Sequence, residues 1–179
     1  MSRATELLSG AQANAAARWY LRHADQVGAR VRVRGRPVIK NWGRLVVGER
    51  TQLVSTIATL ELVSMKGGTL EIGPRTLVNY GTSISAHERV TIGPQCLIGT
   101  HVIIMDNDFH RIEPERRLEV PESRPITIEE NVWLGARVVV LGGVTIGAGS
   151  CIGAGSVVVE PVPPRSVAAG VPARVIREL

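Results

Sequence analysis

With 179 residues, 44% of them hydrophobic, the chain can enclose one core and is short for two. Aromatic residues make up only 3% while glycine reaches 19, which favours a core of stacked aliphatic side chains over an aromatic-rich sandwich. A net charge of +5 suits an acidic small molecule, a phosphorylated cofactor or a membrane surface; it does not single out nucleic acid, and none is expected as a partner.

Residues Thr5 to Asp25 read as a helix, because Leu7, Leu8, Ala11, Ala15, Trp19 and Arg22 fall near one face and no proline intervenes. From Arg30 the pattern switches to alternation, with Val31 and Val33 on one side and Arg30, Arg32 and Arg34 on the other, as in a half-buried strand. The arginines read as a solvated strand face, with contact to an anionic lipid or polymer as the alternative.

Near Val47 a six-residue period begins, and after Pro125 it is unbroken. Ile128, Leu134, Val140, Ile146, Ile152 and Val158 follow one another at steps of six, and Val132, Val138, Val144, Ser150 and Ser156 fill a second, small or β-branched position. The same unit appears earlier from Ile72 and from Ile92. A period of six suits neither an α-helix nor a long plain strand. It suits a coil of short strands joined by tight corners, with the aliphatic residue pointing inward. If three units close a coil, Ile128 lies under Ile146, Leu134 under Ile152, and Val140 under Val158.

The step of eight between Ile84 and Ile92 places a bulge or short extension at one corner. A larger break, 105–125, is charged, carries prolines and lacks the hexad, so it reads as a loop leaving the coil; a loop of that length in a compact domain is usually functional or disordered. After Glu160 the hexads stop, and 161–179 reads as a cap over the open end.

The run PITIEENVWLGARVVVLGGVTIGAGSCIGAGSVVVEPVPPRSVAAGVPARVIREL closely resembles the hexapeptide-repeat acyltransferases, in particular the sugar O-acetyltransferases of galactoside, maltose and nodulation-factor type and the polysaccharide-type O-acetyltransferases. The likeness covers about Val47 to Leu179. It implies an all-β solenoid, a left-handed parallel β-helix with a short N-terminal helix and an external loop. It also implies a homotrimer, with acetyl-CoA bound as co-substrate in a groove between subunits. The hand and the trimer come only from the resemblance, and the hand runs against the usual right-handed crossover. The chain then divides into a head of helix and strand, 1–40, and an acyltransferase domain, 41–179, carrying the loop 105–125 and the cap 161–179. The head is more like the variable head of polysaccharide and glycolipid acetyltransferases, so peripheral contact with a membrane-linked glycan is an expectation.

Moving an acetyl group from a thioester to a hydroxyl requires a base for the hydroxyl proton, and an imidazole with its ordinary pKa of about 6.5 can accept it at neutral pH. The resemblance implies that His110, in the segment DNDFHRIEP, is this base. Asp106, Asp108 and Glu113 flank it. One carboxylate could orient the imidazole and another hydrogen-bond sugar hydroxyls, or they are solvated loop residues. Asn79 and Tyr80 match the region that contacts sugar in the relatives, with a hydrogen-bonded corner as the other account of Asn79.

For the co-substrate, the resemblance places Trp133, Gly135 and Ala136 along the pantetheine groove, Gly153 and Ala154 further along it, and Arg174 and Arg177 near the nucleotide phosphates. Glu160 stands where the family often has a basic residue, so the phosphate contact there is either lost or replaced, with Arg165 as the candidate replacement. His87, His101 and His110 lack the spacing of the zinc site in the γ-type carbonic anhydrases that share this fold, so no metal is expected. Cys96, in an inward slot, and Cys151, beside a corner, read as packing residues, which favours direct attack by the acceptor over an acyl-enzyme. Neither forms a CxxC pair, and no signal-like segment or apolar run of about 18 residues is present, so a cytoplasmic setting is expected. An N-acetyltransferase of an amino sugar or an antibiotic-modifying enzyme is the nearest alternative, and a non-catalytic scaffold a more distant one.

Overall fold

In the computed structural model, which describes residues 3–179 and, within the first helix, side chains from Gln12 onward, short strands wind around a triangular prism with three parallel faces. Face A holds Gln26–Val27, Arg44–Val47, Thr69–Ile72, Arg89–Ile92, Ile126–Ile128 and Thr145–Ile146. Face B holds Arg32–Gly35, Gln52–Ser55, Leu77–Val78, Leu97–Ile98, Trp133–Leu134, Cys151–Ile152 and Ser166–Gly170. Face C holds Val38–Asn41, Glu61–Ser64, Ser83–Ala86, Ile103–Met105, Val139–Val140 and Val157–Val158. The chain visits A, B and C in turn through six coils of a left-handed β-helix.

Ile128 pairs with Ile146, Leu134 with Ile152 and Val140 with Val158, which is the stacking the six-residue period predicts. All six are buried, and burying each such side chain stabilises the fold by roughly 1.5–3 kcal/mol. Val132, Val138, Val144, Ser150 and Ser156 are buried as well. Three hydroxyls in this slot are satisfied by the next corner: Thr51, Thr76 and Thr82 donate to the carbonyl oxygens of Gly73, Gly93 and Gly99 at 2.9 Å each.

The prism starts at Gln26, well before the hexad becomes readable. Its early coils carry extra residues at the corners, such as Thr56–Thr59 and Met65–Gly68, and these shift the period. The step of eight is the corner His87–Glu88, between faces C and A. Val31 and Val33 are buried and Arg30, Arg32 and Arg34 exposed, as the alternation predicts.

Helix α1 (Arg3–Tyr20) closes the N-terminal end, ending short of the expected Asp25. By then the chain has joined the prism: the Asp25 amide donates to Leu45 O at 2.9 Å. The expected packing face needs correction. Ala13, Ala17 and Leu21 are buried, and Ala17 and Leu21 share a cluster with Val31 and Val33, whereas Ala15, Trp19 and Arg22 face solvent. Alanines let the helix backbone approach the first coil closely, which a tryptophan would prevent. Trp19 is 65% exposed and carries the Arg22 guanidinium 4.5 Å above its ring. Leu7, Leu8 and Ala11 lie outside the described side chains. At the other end Ala173–Glu178 turns back antiparallel to Ser166–Gly170 and covers the last coil. Among the described residues no helix is long and apolar enough to cross a membrane.

Candidate active site

The loop leaves face C after Met105 and rejoins face A at Ile126. Asp106, its first residue, is 1% exposed. Its carboxylate accepts the amide hydrogens of His87 at 2.7 Å and of Glu88 and Arg89 at 2.8 Å each. These amides belong to the extended corner one coil below, and the carboxylate supplies the acceptors that a buried backbone requires. The expected role of Asp106 as a sugar ligand is thereby corrected: both oxygens are buried and engaged, and the residue staples two coils together.

Asn107, to which no role was assigned from its residue type and position, is also buried. Its Nδ2 donates to Pro121 O at 3.0 Å and to Ser123 Oγ at 2.9 Å, while its Oδ1 accepts the Phe109 amide at 2.6 Å, so one side chain joins both limbs of the loop. Asp108 is half exposed and meets the Arg124 guanidinium at 3.2 Å. Further out, the exposed Arg116 and Glu119 pair at 2.7 Å, and the guanidinium holds the Glu119 carboxyl below the usual carboxylate range.

Phe109 adopts φ +61°, and His110 follows it on the exposed limb. The His110 Nδ1 lies 2.9 Å from the carbonyl oxygen of Arg117. A carbonyl can only accept, so in the neutral ring Nδ1 carries the hydrogen and Nε2 keeps its lone pair. This is the tautomer that a base acting through Nε2 needs. His87, at the corner below the loop, is partly buried. Its ring packs edge-on against Phe109 with centroids 5.0 Å apart, under the residue that precedes His110.

A second constellation lies on the B-to-C edge. There the His101 amide donates to Tyr80 O at 3.0 Å, that of Arg137 to Thr100 O at 2.8 Å and that of Gly155 to Ala136 O at 2.8 Å, so four successive corners stack. This column brings together Asn79, Tyr80, Gly135, Ala136, Gly153 and Ala154. Asn79 Oδ1 accepts the Tyr80 amide at 2.9 Å, the corner bond weighed against a ligand role. A Cβ on Gly135 would sit 2.6 Å from the Ala154 nitrogen, so the next coil itself requires glycine here. Beside the edge, Trp133 is 55% exposed on face B, in register with Leu97 and Cys151. Arg177 pairs with Val167, which pairs with Cys151, so its charge extends the same column. Arg174 is instead engaged by Glu160 at 3.2 Å, and the Arg165 guanidinium by Leu179 O at 2.9 Å.

Small residues line this edge, with a flat indole at one side and a cation at one end. That arrangement suits a long ligand with an amide-bearing arm and an anionic terminus. Within one chain, however, the edge and the base of the loop stand on different edges of the prism. The loop springs from the C-to-A edge, and face C, on the order of 16 Å wide for about five extended residues, lies between.

Neither cysteine is placed as a nucleophile. Burial pushes the Cys96 thiol up to about 11, and burial also raises Cys151, with Arg177 offsetting part of the rise. Cys151 opens the strand Cys151–Ile152 of face B, directly beside the corner at 147–150. Among the described residues no group of three or more His, Cys, Asp or Glu is placed to share a metal, and His101 stands on a different edge from His87.

The pattern described as "Bacterial transferase hexapeptide (six repeats)" matches residues 125–159. The putative lipopolysaccharide biosynthesis O-acetyl transferase WbbJ of Escherichia coli (strain K12) is 34% identical over 149 residues, covering 78% of this chain and 74% of that protein. The chain belongs to the hexapeptide-repeat acyltransferase family. Within the family it is similar to the galactoside O-acetyltransferase of E. coli (strain K12), 45% identical over 114 residues, or 63% of this chain and 56% of the relative. The chain thus spans about half the length of several curated relatives that it matches. A hexapeptide-repeat-containing acetyltransferase from Vibrio cholerae O1 biovar eltor, solved in complex with acetyl coenzyme A, superposes with a TM-score of 0.65 at 26% identity, covering 94% of this chain and 77% of that one.

Proposed function

We propose that the chain is an acetyl-CoA-dependent O-acetyltransferase acting on a hydroxyl of a sugar, polysaccharide unit or glycolipid, with His110 as general base. The observation that carries this reading is the Nδ1 contact of His110 with Arg117 O, which leaves Nε2 as the basic nitrogen on a loop whose base is anchored by Asp106 and Asn107. The family supplies the reaction type, and the acetyl-CoA complex of the Vibrio cholerae relative supports the donor. The names of the galactoside and lipopolysaccharide relatives support a saccharide acceptor.

In the proposed step the acceptor oxygen attacks the thioester carbonyl carbon as its proton passes to His110 Nε2. The carbon–sulfur bond then breaks, and the imidazolium returns the proton to the CoA sulfur. The Arg117 carbonyl keeps the ring oriented and stabilises its charged form. Asp108, half exposed beside the base, is the loop carboxylate available to an acceptor hydroxyl. Trp133, Gly135, Ala136, Gly153 and Ala154 would hold the donor's arm, with Arg177 toward its phosphates. Because these residues stand on another edge from His110, the complete site is proposed to form between chains of a homotrimer, in the cytoplasm.

His110→Ala should lower turnover by roughly 10²- to 10⁴-fold, read as release of free CoA thiol with a panel of saccharide acceptors. Circular dichroism should be unchanged, since the His110 side chain is exposed. Wild-type turnover in that variant would remove His110 from the chemistry.

A further inference from the structure

At the N-terminal end of the prism two clefts share one arginine. Between α1 and the first coil lies a cleft of about 540 Å³, lined by Ala17, Leu21, Val27 and Val31 together with Arg18 and Arg30. Arg30 also lines a second cleft of about 230 Å³, whose other walls are Arg32, Arg50 and Gln52. The ladder dictates this convergence. Arg32 is level with Gln52, and the Arg50 amide donates to Ala29 O at 2.8 Å, so the corners bearing Arg30 and Arg50 are stacked one coil apart, about 4.8 Å. Arg75 continues the same edge one coil further on, its amide bonded to Glu49 O at 2.8 Å.

Like charges at neighbouring ladder positions repel, and elsewhere the protein interposes a carboxylate. Arg44 and Arg89 share Glu71 on face A, and Arg174 has Glu160. Here it does not. Among the described residues Arg30, Arg32 and Arg50 make no ion pair. Glu49 is the acidic neighbour at this corner, and it is not within ion-pairing distance of any of them. Three arginines lining one cleft without an anion, beside a second cleft walled by Ala17, Leu21, Val27 and Val31, describe a complementary ligand.

We infer that this end of the prism binds a phosphate-bearing amphiphile, with its phosphate or diphosphate held by Arg30, Arg32 and Arg50 and its hydrocarbon chain lying under α1. Guanidinium groups are the side chains best matched to phosphate oxygens, and the larger cleft falls within the size range of small-molecule pockets. The site stands on the A-to-B edge, apart from both the loop and the B-to-C edge, and does not depend on the proposed acetyl transfer. Joined to that reading, it makes the acceptor a saccharide carried on a lipid phosphate.

The test is titration calorimetry of the full chain with monomeric farnesyl diphosphate, with inorganic diphosphate, and, by sedimentation, with phosphatidylglycerol vesicles. Farnesyl diphosphate should bind at least about tenfold more tightly than inorganic diphosphate, because only it fills the apolar cleft. The triple variant Arg30→Gln, Arg32→Gln, Arg50→Gln should weaken both by about tenfold or more. Val27→Trp, which adds an indole to the larger cleft from an exposed position, should reduce farnesyl diphosphate to the affinity of inorganic diphosphate while leaving the latter unchanged. Equal affinity of the two diphosphates in the wild type overturns the amphiphile. Unchanged binding in the triple variant overturns the arginine site. Sedimentation with vesicles without binding of farnesyl diphosphate replaces the site by a general anionic surface. Acetyl transfer to a soluble acceptor should be unaffected in the triple variant, so loss of this inference and loss of the proposed reaction are read separately.

Discussion

At Asp106 a single short carboxylate determines whether two coils stay in register. Three amides from His87 to Arg89 converge on it in a buried setting, and no water or alternative acceptor is needed to complete them. Replacing Asp106 by Ala would leave three partly buried donors without their acceptor, and because solvent can meet part of that demand a loss of about 1–3 kcal/mol is expected. In a denaturant titration the midpoint of Asp106→Ala should therefore fall well below the wild type, whereas that of His110→Ala should stay near it. The contrast separates two residues four positions apart that the sequence places in one acidic, histidine-bearing segment. Coincident unfolding curves for Asp106→Ala and wild type would show that the staple contributes nothing.

The loop as an element is held at its base and little constrained beyond. Asn107 spans its limbs through Pro121 O and Ser123 Oγ, and the Arg124 amide closes on Asp106 O at 2.7 Å. The outer part rests on exposed pairs such as Arg116 with Glu119, worth little in solvent. Asn107→Ala should thus leave global stability nearly intact yet open the loop, so that trypsin cleaves between Arg111 and Arg117 several-fold faster than in the wild type. An unchanged cleavage rate would mean that the base is held without Asn107. The loop's existence was legible because the hexad stops at Met105 and resumes at Ile126. Its anchoring was not, because the groups that Asp106 and the Asn107 Nδ2 hold lie 14 to 19 residues away and leave no local pattern. The stacking of Ile128 on Ile146 was legible for the opposite reason, since an uninterrupted repeat carries its own register. On α1 the large residue Trp19 drew the apolar face toward itself, while close approach to the first coil selected Ala13 and Ala17. His110, Trp133 and the small corner residues were named through the family resemblance, and the polar wiring that orients His110 came only with the structure.

For the whole molecule, the separation of loop and edge sets the sharpest requirement. A single chain leaves Ile112, Leu118 and Val120 of the loop exposed, Leu118 at 92%, and leaves Leu97 and Trp133 half exposed on face B. Surfaces of this kind are commonly covered by symmetric assembly, and a closed ring would set each chain's loop against a neighbour's edge. Light scattering at micromolar concentration should then report about three times the 19.3 kDa of one chain. A complementation experiment goes further. His110→Ala disables the loop and keeps the edge, while Ala154→Trp obstructs the edge and keeps the loop. Each variant alone should be nearly inactive. Refolded together in equal amounts, they should regain about one quarter of wild-type activity, because a random interface draws an intact loop from one chain and an intact edge from the next with a probability of about one half each. If the site were complete within one chain, every mixed molecule would carry one defect per site and the mixture would stay inactive.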